Sequence, residues 1–219
     1  MNTSIDARAN LSPASLGTAR LGGIFLALGG IAFFAGGVTH PSDSGGGTKV
    51  EQLYQAFIQP TWYLSHALLL ASFALFAAAI LLLRKRGHFG TGMARLVNVV
   101  SVVAVVATLG MAVHLMSALG AESIADGQPS LIYLVQKWNE TILSTLWGLG
   151  IIALAIAGGL TRTLGNWITI PLAVVGGVAW CLATATIAFT DRFDPLFPVA
   201  SLISVWAVAA GVMWAVRST

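Results

Sequence analysis

The chain has 219 residues, of which 57% are hydrophobic and only 9% charged, against roughly 45–50% and 25% in soluble domains. That balance excludes an ordinary water-soluble globule and points to a chain whose solvent is lipid, where 24 glycines are also tolerated inside helices. The formal charge of +3 comes from 11 Lys and Arg against 8 Asp and Glu, and a single Cys excludes an internal disulfide.

Residues 1–17 are polar and small and read as a mobile cytoplasmic tail, leaving 18–219 as one transmembrane domain. A helix needs about 20 mostly apolar residues to cross a hydrocarbon core of roughly 30 Å. Six runs meet that need, at 21–39, 62–83, 96–119, 138–160, 167–190 and 196–216. Lipid offers no partner to a free peptide group, and the runs lack barrel alternation, so each is a helix. The expected fold is all-α, an integral membrane bundle of six transmembrane helices.

Between the first two runs, 41–47 is a turn-rich linker. Residues 48–59 then place Val50, Leu53, Tyr54, Phe57 and Ile58 at helical spacing, which predicts a short external amphipathic helix on the outer membrane surface. Residues 120–136 form a second external loop, with an apolar patch at Leu131, Ile132 and Tyr133. Placing both termini in the cytoplasm puts Arg8, Arg20, Arg84, Lys85, Arg86, Arg95, Arg162 and Arg217 inside and leaves Lys49, Lys137 and Arg192 outside. This is the asymmetry of a multi-pass protein in a bacterial-type plasma membrane, and it accounts for the basic residues without nucleic acid.

Within the first run, Gly22-Gly23, Gly29-Gly30 and Gly36-Gly37 recur every seven residues, close to two helical turns, and form one stripe that lets another helix approach. His40 lies on the same face and should point into the bundle. Trp62 and Trp138 mark the outer interface and Trp167 and Trp214 the inner one, while Trp147, Trp180 and Trp206 lie deeper as packing residues.

Topology and helix rise together bring three histidines to one level. His40 ends the first run, His66 is four residues into the second and His114 five residues before the end of the third. The last two therefore lie about 6–8 Å beneath the outer boundary. The fourth histidine, His88, falls in an inner basic loop and is expected to be solvated. Ionisable groups inside spans usually face the bundle interior or a cavity, so the layer is a candidate site. Gly110, Met111 and Ser117 share the helical face of His114, and Ser65, Tyr63 and Trp62 adjoin His66. Glu140, two residues into the fourth run, is a candidate fourth metal ligand or an orienting partner for an imidazole. Asp191 and Asp194 are more distant candidates.

Three neutral imidazoles and a carboxylate suit a catalytic transition metal with an open position, and two of the histidines would alternatively hold haem b between helices. The expected function is redox or metal-dependent chemistry at His40, His66, His114 and Glu140. Two other classes stand beside it. One is a non-enzymatic module, either a small-molecule carrier or a subunit of a larger membrane complex or homo-oligomer. The other is a metal-dependent hydrolase of lipids at the outer leaflet. The sequence lacks G-x-x-x-x-G-K-[ST], H-E-x-x-H and C-x-x-C, so neither nucleotide nor nucleic acid is an expected partner. Three single histidines differ from the paired ligands of b-type cytochromes, and no histidine follows His114 to supply the late pair of alkaline ceramidases, so the motifs assign no family.

Overall fold

The computed structural model describes residues 13–41, 46–87, 90–128 and 130–217; His88 and most of the expected tail fall outside them. The described residues are helical and contain no strand. In chain order the helices are α1 (Pro13–Val38), α2 (Lys49–Phe57), α3 (Trp62–Arg86), α4 (Thr91–Met116), α5 (Ala121–Ala125), α6 (Leu131–Trp138), α7 (Thr145–Leu160), α8 (Ile170–Thr186), α9 (Phe197–Ala200) and α10 (Leu202–Arg217). A 3-10 turn joins α4 to α5, a π-turn over Asn139–Ser144 joins α6 to α7, and a second 3-10 turn precedes α9.

Five continuous helical stretches are long and apolar enough to cross a membrane: Gly17–Val38, Trp62–Arg86, Thr91–Ala125, Leu131–Leu160 and Asp194–Arg217. The run expected at 167–190 is shorter, with 17 residues in α8, or about 25 Å of rise. Local hydrogen bonding trims it. The Asn166 carboxamide oxygen accepts the amides of Ile168 and Thr169 at 3.0 and 3.1 Å, making a turn before Pro171 begins the helix. At the other end Thr186 O takes the amides of Phe189 and Thr190. Two stretches are longer than their apolar runs. Much of the loop expected at 120–136 is helix, because Ser130 caps α6 through the amide of Tyr133 at 3.2 Å and α5 continues α4. The helix expected at 48–59 is α2, closed by a capping box in which Thr48 Oγ1 accepts the Glu51 amide and Glu51 Oε2 accepts the Thr48 amide.

The six long helices pack as a closed ring in the order α1, α3, α4, α7, α8, α10 and back to α1. Its centre is aromatic. Trp147 stacks on Phe73 at 4.4 Å and on Phe33 at 5.8 Å and meets Phe76 edge-on, while the Trp180 indole donates to Ser144 O at 2.9 Å. Trp62 and Trp214, expected at the membrane interfaces, are instead buried in the protein at 1% and 3% exposure; Trp138 and Trp167 are exposed.

The glycine stripe serves two neighbours. A Cβ on Gly23 would come 2.5 Å from Gly211 O of α10, and one on Gly30 would come 2.8 Å from Ser204 O and 2.9 Å from Ala207 Cβ. Gly29 and Gly36 face α3 instead, against Phe76 and against Leu69 and Ser65. Ser72 adds a bond from α3 to Gly29 O at 2.8 Å. Because those obstacles at Gly30 include backbone, Gly30→Val should destabilise the fold by about 1–3 kcal/mol. Gly37, with nothing within 4 Å of an added Cβ, should accept Ala with a change of about 0.5 kcal/mol or less. Thermal unfolding of the two variants in the same detergent checks the contrast.

Candidate metal centre

The site forms where the end of α1, the start of α3 and the end of α4 meet, at the opposite end of the bundle from Arg84, Lys85 and Arg86. Gly36 sets the first approach. A Cβ there would come 3.0 Å from Ser65 O and 2.8 Å from the Leu69 side chain, so the bare backbone brings α1 against α3 one turn before His40. Asn139 sets another, donating to Gly110 O at 3.1 Å one turn before His114.

His40, His66 and His114 come together as the shared level predicted, each offering a ring nitrogen, with the three nitrogens within 4.8 Å of one another. Ring centres are 4.8 Å apart for His40 and His66 and 4.5 Å for His66 and His114. His66 is fully buried and His114 4% exposed, while His40 keeps an exposed edge. Protein packed around the His40 ring, and then the neighbouring His114, push its pKa below the usual imidazole range, against the opposing bond to Pro41. The neutral ring that results is the form a metal requires.

Each imidazole uses Nδ1 on a protein oxygen. His40 Nδ1 lies 3.0 Å from Pro41 O, His66 Nδ1 lies 2.7 Å from Trp62 O, and His114 Nδ1 meets Gln136 Oε1. Carbonyl and carboxamide oxygens only accept, so all three Nδ1 atoms carry the proton and all three Nε2 atoms present a lone pair. His66 Nε2 is buried without a hydrogen-bond partner. A buried polar atom left unpaired costs free energy, and a cation held together with His40 and His114 would give the His66 nitrogen its partner.

The partners are themselves fixed. Ser65 Oγ donates to Trp62 O at 2.9 Å and lies 2.9 Å from His66 Nδ1. Gln136 Oε1 also accepts from Ser117 Oγ at 3.2 Å, while Gln136 Nε2 donates to Glu140 Oε2 at 3.0 Å. This orients the amide, since Glu140 needs a donor and His114 an acceptor. Glu140 Oε1 is 3.7 Å from His114 Nδ1, so the carboxylate stands behind a ligand ring, outside the cluster of three nitrogens. Asp191 and Asp194 pair with Lys49, the latter at 3.1 Å, and Asp191 also accepts from Gln52 at 3.3 Å.

Trp62, which adjoins His66 in the sequence, and Gln136 belong to the site as well. Trp62 stacks on His66 at 3.7 Å with rings 22° apart, and its indole donates to Leu115 O at 3.1 Å, beside His114. The loop expected at 120–136 conceals the i, i+4 relation of Gln136 to Glu140 on one helix face. That spacing was the available signal.

Comparison with family models, with curated proteins and with solved structures finds no match to this chain. Replacing Gln136 by Leu should leave the His114 Nδ1–H without an acceptor and weaken binding of a metal at this cluster by about 10–100-fold. Isothermal titration of Zn(II) into the variant and the unaltered protein measures the loss.

Proposed function

We propose that the protein is a six-span integral membrane protein, with both termini in the cytoplasm and α2 on the outer side, that holds a metal ion at His40, His66 and His114 near the extracytoplasmic face. The ion there performs redox or metal-dependent chemistry. The distribution of basic residues supports the orientation, with the Arg84, Lys85 and Arg86 end inside. α8 counts as the sixth span because 17 apolar residues reach the lower limit for crossing and its neighbours α7 and α10 flank it.

The observation that carries the metal is the convergence of one ring nitrogen from each of His40, His66 and His114 within 4.8 Å, with every Nδ1 bonded to a protein oxygen and the buried His66 Nε2 left without a partner. Orientation of ligand imidazoles by an oxygen on the far nitrogen is the usual outer shell of a histidine metal site. An ion fits this cluster better than haem b. A macrocycle clamped between two imidazoles holds their ring centres well beyond 4.5 Å, the spacing of His66 and His114. Glu140 acts from behind His114 as a charge partner, through Gln136, and three protein ligands leave a position for water or substrate.

Purified from its native membrane, the protein should contain about one transition-metal ion per chain by elemental analysis, with no Soret band. Joint replacement of His40, His66 and His114 by Ala should remove that ion while helical circular dichroism persists. Equal metal content in the two proteins would overturn the assignment.

A further inference from the structure

We infer that the three-histidine pocket is selective for the cuprous ion over divalent zinc and cupric ions. The inference rests on the metal reading above and adds the charge and coordination number of the ion.

The first argument is charge. His40, His66 and His114 enter as neutral donors. Their Nδ1–H groups go to the Pro41 carbonyl, the Trp62 carbonyl and the Gln136 amide oxygen, all neutral acceptors. Among the described residues the carboxylate nearest an Nδ1 proton is Glu140, at 3.7 Å from His114, too far to lend a ring imidazolate character, so the three rings themselves offset none of the charge of the ion. The Born cost of moving an ion out of water rises with the square of its charge, so a divalent ion costs about four times as much as a monovalent one of equal size. His66 is fully buried and His114 nearly so, which places the ion where that cost is felt. The carboxylate brought against a ligand ring is Glu140, 3.7 Å from His114 Nδ1 and already accepting from Gln136. It supplies at most one negative charge, enough to balance one positive charge and not two. Lys49, Asp191 and Asp194 form their own ion-paired group.

The second argument is coordination number. The cluster offers three nitrogens and no fourth protein ligand atom within the same reach among the described residues. With three imidazoles zinc has to take a water as its fourth ligand, and the cupric ion favours a tetragonal set of nitrogen and oxygen donors. The cuprous ion has a filled d shell and is satisfied by three imidazoles. The Trp62 indole, 1% exposed and stacked on His66, fills space beside the ligands with an electron-rich π surface that favours a cation without adding a formal charge.

The test is a set of metal titrations on full-length protein in detergent. Cu(I) is delivered anaerobically in competition with a chromophoric chelator, and Zn(II) and Cu(II) are titrated separately as the metals alone. Cu(I) should bind at one per chain and, because a single charge costs less to desolvate, at least about tenfold more tightly than either divalent ion. Glu140→Gln keeps an acceptor for Gln136 and removes the ionisable carboxyl group. It should weaken Zn(II) and Cu(II) by about tenfold and Cu(I) by distinctly less. His66→Ala should abolish Cu(I) binding; if that buried change prevents folding, His40→Gln at the exposed edge serves the same purpose. Zn(II) or Cu(II) binding as tightly as Cu(I) would overturn the selectivity and leave the metal centre standing. No binding of any of the three ions would overturn both.

Discussion

The close approach of α1 to α3 at Gly36 is the constraint on which the site depends. Lipid gives apolar helices little reason to prefer one another over solvent, so contact in a membrane comes from van der Waals fit and the occasional interhelical hydrogen bond. Gly36 lets α1 pass within contact of Ser65 O and Leu69, and Ser72 ties α3 to Gly29 O two turns away. The same stripe turns its alternate glycines to Gly211, Ser204 and Ala207 of α10. One helix is thereby wedged between two neighbours, and its last residues arrive beside His66 with no freedom to swing outward. His40, just beyond the helix, inherits that placement, which the bond from its own amide to Gly37 O at 3.3 Å helps to hold.

What the glycines do for the backbone, the Nδ1 bonds do for the rings. An imidazole has two nitrogens, and whichever is bonded to an acceptor decides what the other can do. Here the acceptors are parts of the fold with other duties. Trp62 O lies one helical turn before His66, and Pro41 O follows His40 directly in the chain. Only His114 needs a side chain from another helix, and that side chain is itself held between Ser117 and Glu140. The π-turn at Asn139–Ser144 contributes here as well. It begins directly after α6, lets Asn139 bond Gly110 O, and so seats the Gln136 helix against α4 at the depth of His114.

The membrane character and the three histidines were legible in the sequence because both depend on counting. Long uncharged runs identify helices, and helix rise gives depth, so His40, His66 and His114 fall at one level before any packing is known. Convergence is what the shared level leads one to expect, although depth alone fixes no azimuth beyond the face on which His40 lies. Helix ends were the weakest part. Residues 120–136 are polar enough to suggest a loop, yet a Ser130 cap and the continuation of α4 into α5 make much of them helical. That difference hid Gln136. Trp62 adjoins His66 in the sequence, yet a tryptophan at the start of a span satisfies the rule for interfacial aromatics, and only its indole bond to Leu115 O and its stacking on His66 reveal a position inside the protein.

The cap at this end of the bundle links the site to its surroundings through the same tryptophan. Phe57, in the last turn of α2, packs edge-on against Trp62 at 4.6 Å, and Ala121 and Ile124 of α5 complete that small apolar cluster. The other end of α2 is held by polar contacts, with Lys49 between Asp191 and Asp194 and Gln52 bonded to Asp191. A nine-residue helix is too short to be stable alone in water, so α2 depends on these two attachments. The connection between the turn before α9 and the histidine pocket therefore runs through packed groups: Asp191 and Asp194 to Lys49, along α2 to Phe57, and through Trp62 to His66. The pocket gains from such a cover on the side of His66 and His114, both buried, because keeping water away strengthens the polar contacts among His114, Gln136 and Glu140.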